Sequence, residues 1–285
     1  MRLTAVGTGT AAPTAHEVNA GWYLEAGPVR LLVDCGSGVV HGMAKLGLDW
    51  AGITHLALTH FHADHISDIA TLVTAWKYGQ MVPRTAPLEV IGPPGTLGML
   101  ERTAALFGSW MLEPGFPLMV HELDRAAPDL AAGAVAGHAP ASPAGAGTGE
   151  NAVRRSASTR ALPGGLELSA LPVPHTPESV AYSMARGARR IVYTGDTGPD
   201  DALGAWAAGC DVLVAECSLP RVMAVPGHLT PEDCAAMAAA ARPHTLVLTH
   251  RFPPVGQVDA AGIVRERFAG TVVLAHDGWS IDLQD

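Results

Sequence analysis

Charged residues and cysteines are scarce in this sequence of 285 residues, and each shortage excludes a class of protein. Only 16% of the residues are charged and 48% are hydrophobic, which excludes the highly charged, weakly hydrophobic composition of a disordered chain. The four cysteines include no C-x-x-C pair, which argues against a disulfide framework and favours buried thiols in a reducing compartment. We therefore expect a cytoplasmic protein with a packed core.

Long apolar runs and a basic amino-terminal segment are also missing. No stretch reaches the roughly 18 apolar residues of a membrane span, and the opening MRLTAVGTGT lacks the pattern of a signal peptide. The formal net charge is −9, which argues against a protein that binds nucleic acid by electrostatic attraction alone. We expect no membrane partner, and no nucleic-acid partner beyond short substrates.

Strand and helix patterns alternate along the chain, which predicts an α/β fold in one domain over 1–285. The predicted strands are apolar runs rich in β-branched residues at 2–6, 29–34, 53–59, 88–91, 166–173, 180–184, 190–194, 212–215, 245–249 and 271–275. The predicted helices cover 39–46, 66–78, 96–107, 201–208, 231–241 and 259–268. The helix from Pro231 has Thr230 as its predicted N-cap.

A segment at about 126–165, rich in Ala, Gly and Pro, interrupts this alternation. Its composition predicts a flexible insertion rather than a domain boundary. Two interpretations remain open for it. It is either a disordered surface loop or a mobile flap that brings Arg154, Arg155 and Arg160 to an anionic substrate.

Histidine is abundant, with 13 residues against 18 Lys and Arg together, and its densest cluster is THFHADH at 59–65. A predicted strand leads into this cluster. Because side chains alternate in an extended segment, His60, His62 and Asp64 point the same way, and His65 follows where the chain turns into a helix. Imidazole nitrogens and carboxylate oxygens are the ligands that Zn²⁺ prefers. The cluster therefore predicts a metal site.

Two smaller motifs have structural interpretations. Gly7-Thr8-Gly9 is similar to half of a phosphate-binding loop, but no lysine follows it, so a tight first turn is predicted instead. Asp34 stands at the end of a predicted strand, near the expected metal site, where it could support a metal ligand.

The order of six motifs resembles the metallo-β-lactamase superfamily. LTAVGTGTAAPT and LLVDCGSG precede THFHADH, and VPHT, YTGDT and LTHRF follow it. The resemblance covers nearly the whole chain and implies an αββα four-layer sandwich, with the metal site at one edge of its two sheets.

The resemblance also implies the remaining metal ligands. One metal is expected on His60, His62 and His175, and a second on Asp64, His65 and His250, with Asp196 between them. The expected cofactors are two Zn²⁺ ions, and Mn²⁺ or Fe²⁺ could bind the same ligands. Such a centre implies hydrolysis by a metal-bridging hydroxide, with Asp64 contacting both a metal and that water.

Within the superfamily the sequence most resembles the ribonuclease Z and phosphodiesterase branch, through LVAECS and GHLTPEDCAAMA. In that branch a glutamate pairs with a downstream histidine near the leaving group. Glu216 and His228 match those positions. A carboxylate that orients a histidine is suited to protonating a departing alkoxide.

Two departures from that branch bear on the substrate. Ala215 stands where ribonuclease Z enzymes usually have a histidine, and Asp196 follows His175 by only 21 residues, which leaves no room for the basic arm of the tRNA-processing enzymes. We therefore expect a phosphodiesterase acting on small anionic phosphodiesters, such as a cyclic nucleotide or a short nucleic acid.

Other interpretations remain open. The first alternative is a hydrolase of the same fold acting on a carboxyl substrate or sulfate, as a lactonase, thioesterase, β-lactamase or arylsulfatase does. It would differ in its need for Glu216 and His228 and for an anion clamp such as Arg154 or Arg251. A tRNA 3′-processing endonuclease and a non-catalytic metal-binding protein rank below it. A homodimer is compatible with the resemblance.

Overall fold

Two seven-stranded β-sheets lie face to face in this computed structural model, which describes residues 1–123 and 158–284. The first sheet consists of β1 (Arg2–Gly7), β2 (Gly21–Ala26), β3 (Val29–Val33), β4 (His55–Ala57), β5 (Leu88–Gly92), β6 (Leu118–Glu122) and β14 (Ser280–Asp282). The second consists of β7 (Ser158–Leu162), β8 (Leu166–Pro172), β9 (Val180–Arg186), β10 (Arg189–Tyr193), β11 (Val212–Glu216), β12 (Thr245–Thr249) and β13 (Thr271–Leu274). Their strand orders are β14-β1-β2-β3-β4-β5-β6 and β13-β12-β11-β10-β9-β8-β7.

Helices cover the outer face of each sheet. On the first sheet these are α1 (Val39–Lys45), α3 (Ile69–Tyr78) and α4 (Thr96–Phe107), with the short α2 (Ala63–Ile66) before α3. On the second they are α5 (Asp201–Trp206), α6 (Pro231–Ala241) and α7 (Ala260–Arg265). One apolar cluster fills the space between the sheets, and one lies under each helical layer. The predicted αββα sandwich is confirmed.

The direction of the strands gathers distant residues at one rim. Strands β3 to β6 are parallel in the first sheet, as are β10 to β13 in the second. The carboxyl ends of parallel strands meet at one edge of a sheet, and in open α/β sheets ligands bind beyond those ends. The segments that follow β4, β8, β10 and β12 contain the predicted ligands His60, His175, Asp196 and His250.

The helices mostly follow their sequence signals. Thr230 caps α6 in a reciprocal capping box with Asp233, as its N-cap signal predicts. The predicted helix at 66–78 is instead divided into α2 and α3. The break occurs because Asp68 donates its backbone N–H to the carbonyl of Cys35, while its carboxylate accepts from the backbone N–H of Val40 in α1.

Most of the segment predicted as a flexible insertion, up to residue 157, lies outside the described residues. Its last part differs from the prediction, because β7 pairs antiparallel with β8 along Ser158–Leu162 and a 3₁₀ turn follows at Pro163–Gly165. In the part of the chain that the structure describes, no helix has the length and apolar surface that a membrane crossing requires.

Candidate metal centre

The histidine-rich segment after β4 divides its side chains between two directions. His60 lies three residues beyond the end of β4, and His62 is in extended backbone, with φ −65° and ψ 149°, at the N-cap of α2. Asp64 and His65 then lie in the first turn of that helix, where the backbone direction changes. A strand end followed at once by a helix therefore presents ligands to two neighbouring positions.

The seven predicted ligands form two adjoining groups. One ligand atom from each of His60, His62, His175 and Asp196 lies within 4.8 Å of the others, and the same holds for Asp64, His65 and His250. We call the set His60, His62 and His175 the first half-site, and the set Asp64, His65 and His250 the second half-site.

The Asp196 carboxylate faces both half-sites. Its Oδ1 lies 3.3 Å from Nε2 of His65, and its Oδ2 lies 3.8 Å from Nε2 of His175. A carboxylate with one oxygen toward each group can bridge two cations, as the sequence comparison with the superfamily implies. The structure thus brings together all seven residues predicted as ligands, and their role in ligation stays a prediction.

Buried atoms without partners test whether the residues fit a metal. Among the described residues, Nε2 of His60, Nε2 of His65 and Oδ1 of Asp196 are buried and have no hydrogen-bond partner. An unsatisfied buried polar atom is costly, so three of them around one point indicate a ligand that accepts their lone pairs. Nitrogen and oxygen donors without a thiolate suit zinc, manganese or iron.

The protein fixes the ring orientation of four histidines through Nδ1. His60 Nδ1 lies 3.0 Å from Thr59 Oγ1, and His175 Nδ1 lies 2.8 Å from the carbonyl oxygen of Gly227. Nδ1 of His65 and Nδ1 of His250 also lie within hydrogen-bond distance of an oxygen, supplied by Asp34 and Ser218. When Nδ1 donates to an oxygen, Nε2 is left with a lone pair for a metal. His62 is the exception, because its Nδ1 lies 3.1 Å from Nε2 of His175 and so faces the centre itself.

Asp34 supports the second half-site directly and the first indirectly. Its buried carboxylate accepts from Nδ1 of His65 at 2.8 Å, from the hydroxyl of Thr59 at 2.9 Å and from the hydroxyl of Tyr193 at 3.2 Å. Because the Thr59 hydroxyl donates to Asp34, it accepts from His60 Nδ1. Asp34 has a φ of 60°, a conformation that non-glycine residues seldom adopt.

Ser218 has the corresponding role for His250. Its hydroxyl oxygen lies 3.1 Å from Nδ1 of His250 and donates to the carbonyl of the same residue at 3.0 Å. Nε2 of His250 then points to Oδ2 of Asp64, 3.2 Å away. Both residues of this contact belong to the second half-site.

Charge and burial set the protonation of the centre. Burial, and then the neighbouring His65, lower the pKa of His60 to about 2, so its imidazole is neutral. Burial alone would raise the pKa of Asp64, but the hydrogen bond from His250 and the charge of His65 hold it at about 2. Neutral imidazole and ionised carboxylate are the forms that bind metals.

His65 and Asp196 shift each other in opposite directions. Burial opposes charge on both, yet the carboxylates of Asp196 and Asp34 raise the pKa of His65 well above its usual value. The nearby His250 and His65 lower the pKa of Asp196 well below its usual value. A metal at Nε2 of His65 would replace a proton there, so binding would release that proton.

Glu216 and His228 lie beside the ligands as a hydrogen-bonded pair. Oε1 of the fully buried Glu216 lies 3.0 Å from Nδ1 of His228 and also accepts from the backbone N–H of Thr197. The His228 ring centre is 4.8 Å from that of His175 and 6.1 Å from that of His250. Burial lowers the pKa of His228, but the hydrogen bond and charge of Glu216 outweigh burial and raise it.

The arginines predicted as anion clamps lie elsewhere or have other partners. Arg154 and Arg155 are outside the described residues. Arg160 does not reach the centre as part of a flap: it belongs to β7 and forms an ion pair with Glu89 at 2.8 Å. Arg251 follows His250 in sequence, but its Nη2 donates to the carbonyl of Ala275.

Of the groups that orient the predicted ligands, the sequence indicated Asp34, which contacts His65 as expected, and missed the others. Thr59 and Ser218 are short hydroxyl residues close in sequence to His60 and Glu216, and that closeness was their signal. The carbonyl of Gly227 could not be anticipated, because every residue has a carbonyl and only the fold selects one.

Comparisons with known proteins show the family and the fold of this chain. The family described as "Beta-lactamase superfamily domain" matches residues 29–251. Ribonuclease Z of Mycobacterium avium is 30% identical over 97% of this chain and 96% of its own length. Two solved structures have the same fold with a TM-score of 0.74. The metallo-β-lactamase fold protein YhfI of Bacillus subtilis is 21% identical and covers 98% of both chains, and the short form of human tRNase Z is 23% identical and covers 100% of both.

Proposed function

The chain belongs to the metallo-β-lactamase superfamily, and we propose that it is a dinuclear zinc hydrolase that cleaves small, anionic phosphodiesters. The observation that carries the proposal is the pair formed by the buried Glu216 and the half-buried His228, next to two half-sites that share Asp196. The half-sites alone would serve any hydrolase of the fold. The additional pair suits a reaction whose leaving group must receive a proton.

The residues of the centre would have two functions, metal binding and proton donation. The first half-site and the second half-site would each hold one cation, with Asp196 contacting both. Two bound cations supply Lewis acidity that activates a water and neutralises negative charge on the reacting group. The ring orientations set by Thr59, Asp34, Gly227 and Ser218 keep the donor atoms in position before any ligand arrives.

His228 would supply the proton for the leaving group. Glu216 accepts from Nδ1, so Nε2 is the nitrogen left to donate, and the raised pKa favours the protonated form. Hydrolysis adds water across one P–O bond: the hydroxyl group of the water stays on phosphorus, the departing alkoxide takes the proton from Nε2, and the proton that the water gives up restores His228. The products are a phosphomonoester and an alcohol, and general acid catalysis of this kind contributes about a hundredfold or more.

The short path from His175 to Asp196 favours a small substrate. β9 and β10 pair as a hairpin, joined by the turn at Gly187 and Ala188, and occupy most of this path. Within the described residues no basic arm lies between the two ligands. The full-length similarity to ribonuclease Z favours a second candidate, a tRNA 3′-processing endonuclease, and the hairpin weighs against it.

The test compares substrates on one zinc-loaded preparation. We expect turnover of bis(p-nitrophenyl) phosphate and cyclic nucleotides that is lost in Asp64→Ala. His228→Ala should reduce turnover of the cyclic nucleotides sharply and that of bis(p-nitrophenyl) phosphate much less, because p-nitrophenolate departs without a proton. A precursor tRNA tests the second candidate, and a lactone, a thioester, a β-lactam and an aryl sulfate test the alternative chemistries. A protein that binds two zinc ions but cleaves only one of these last four classes would overturn the phosphodiesterase proposal.

A further inference from the structure

The carboxylate of Asp277 closes a loop near the amino terminus, although it lies close to the other end of the chain. Its Oδ1 accepts from both the backbone N–H and the hydroxyl of Thr8, each at 2.9 Å. Its Oδ2 accepts from the backbone N–H of Val18 at 2.8 Å. One side chain therefore holds the beginning and the end of the loop at residues 8–18.

Glycines allow the loop to close on itself. Gly9 donates its backbone N–H to the carbonyl of Val18 at 2.8 Å. A Cβ atom at Gly7 would lie 1.8 Å from the carbonyl oxygen of Asn19, and one at Gly9 would lie 2.8 Å from that of Val18. The structure has no turn at Gly7-Thr8-Gly9, so the tight turn predicted there is wrong: these glycines instead allow the close approach of residues 18 and 19, and the carbonyl of Thr8 faces the rim.

The loop reaches a metal ligand through that carbonyl. The backbone N–H of His250 donates to the carbonyl of Thr8 at 3.0 Å. His250 has a φ of 51°, in the left-handed region that non-glycine residues seldom adopt. A residue held in that region depends on its surroundings, and the direction of its side chain follows its backbone.

The same segment reaches a second ligand just beyond Val18. The backbone N–H of Ala20 donates to the carbonyl of Asp64 at 3.1 Å. His250 and Asp64 belong to the second half-site, and their side chains are 3.2 Å apart. The orienting groups of the first half-site, Thr59 and the carbonyl of Gly227, are not part of this loop.

We propose that Asp277 is a positioning residue that acts through Thr8 and Ala20 to set the metal affinity of the second half-site, leaving the first half-site unchanged. The inference rests on the metal centre of the proposed function but not on its substrate. Residues that support a ligand without touching the metal typically change metal affinity by about ten- to a hundredfold.

The test measures zinc stoichiometry and affinity rather than activity. Wild-type protein, Asp277→Ala, Asp277→Asn and Thr8→Val are stripped of metal, titrated with zinc by calorimetry and analysed for bound zinc. We expect two sites in the wild type, and in Asp277→Ala one unchanged site and one weakened by about tenfold or more. Thr8→Val removes only the hydroxyl contact and should weaken the same site less, while retaining the fold.

Asp211 offers a matched control. Its buried carboxylate also accepts from a backbone N–H, that of Arg190 at 2.7 Å, and from the side chain of Arg189 at 3.0 Å. It stands just before β11, at the end of that strand away from Glu216. Asp211→Ala should lower the melting temperature and leave both zinc affinities unchanged.

Three outcomes would overturn the inference: unchanged zinc affinities in Asp277→Ala and Thr8→Val, equal weakening of both sites, or selective weakening in Asp211→Ala as well. If Asp277→Ala does not fold, the zinc affinities of Asp277→Asn and Thr8→Val decide whether the inference holds. Failure of the phosphodiesterase proposal would look different, because the protein would still show one selectively weakened zinc site in these variants.

Discussion

The two half-sites are built from similar ligands but differ in how the protein surrounds them. In the first, His62 is exposed and His175 is half-buried, so only His60 is fully enclosed. In the second, Asp64, His65 and His250 are all buried, and Asp34, Ser218 and the loop at residues 8–18 contact them. The comparison teaches that the first half-site is open to substrate and solvent, whereas the second is part of the protein interior.

Removal of the Asp196 carboxylate should have the largest effect, because this carboxylate faces both half-sites. Asp196→Ala is expected to lower zinc binding at both and to reduce hydrolysis by about a thousandfold or more, since several kcal/mol of charge stabilisation depend on the cations. Zinc analysis and kinetics check this.

Asp259→Ala, which removes only the N-cap of α7, is the control and should cost about 1 kcal/mol of stability with full zinc content. Retention of two zinc ions in Asp196→Ala would contradict the bridging role.

Single ligand deletions should affect stability differently in the two half-sites. His65→Ala leaves the buried carboxylates of Asp34 and Asp196 without their histidine, and breaking a buried pair costs about 3–5 kcal/mol. His62→Ala removes an exposed ring and should change the free energy of unfolding little.

Thermal unfolding of the metal-free proteins measures this contrast, and zinc analysis shows which ion each variant retains. Both variants should bind one zinc ion in place of two. Equal melting temperatures for His62→Ala and His65→Ala would refute the difference in burial that the comparison rests on.

His228 should matter for turnover and not for either metal. In His228→Ala the zinc content should be unchanged, and kcat should fall by about a hundredfold for substrates with a poor leaving group. The loss should be much smaller for p-nitrophenyl esters, because p-nitrophenolate departs without a proton. Glu216→Gln should act in the same direction, since it removes the charge that raises the pKa of His228. A loss that is independent of the leaving group would exclude His228 as the general acid.

The sequence predicted which residues meet at the centre because most of them follow an apolar strand, and strand ends converge at the rim; their role in ligation stays a prediction. The sequence also predicted Thr230 as the N-cap of α6, a local signal that needs no tertiary contact. The strands β6 and β7 were missed because they are sheet-edge elements with half-exposed, irregular patterns. The strand β2, which begins with Gly21, was also missed although five of its six residues are buried.

Apart from Asp34, the groups that support the predicted ligands could not be predicted from the sequence, because they depend on contacts between distant segments. Asp277 and Thr8 are 269 positions apart, and no pattern along the chain links them. His250 adopts a positive φ without the glycine that usually marks such a position. Motifs thus predict which residues gather at the centre, whereas the tertiary fold determines how firmly each half-site is held.

The smallest expected effects come from removing two hydroxyl groups, each of which contacts a histidine of one half-site only. Thr59→Val removes the oxygen 3.0 Å from Nδ1 of His60, and Ser218→Ala removes the one 3.1 Å from Nδ1 of His250. Each should weaken zinc by about tenfold at its own half-site, because the freed ring loses its fixed orientation. Thr59→Val should also weaken the second half-site slightly, since the Thr59 hydroxyl donates to Asp34, which holds His65, whereas Ser218→Ala should leave the first unchanged. Zinc calorimetry on both variants measures this asymmetry, and a symmetric result would show that the half-sites are not supported independently.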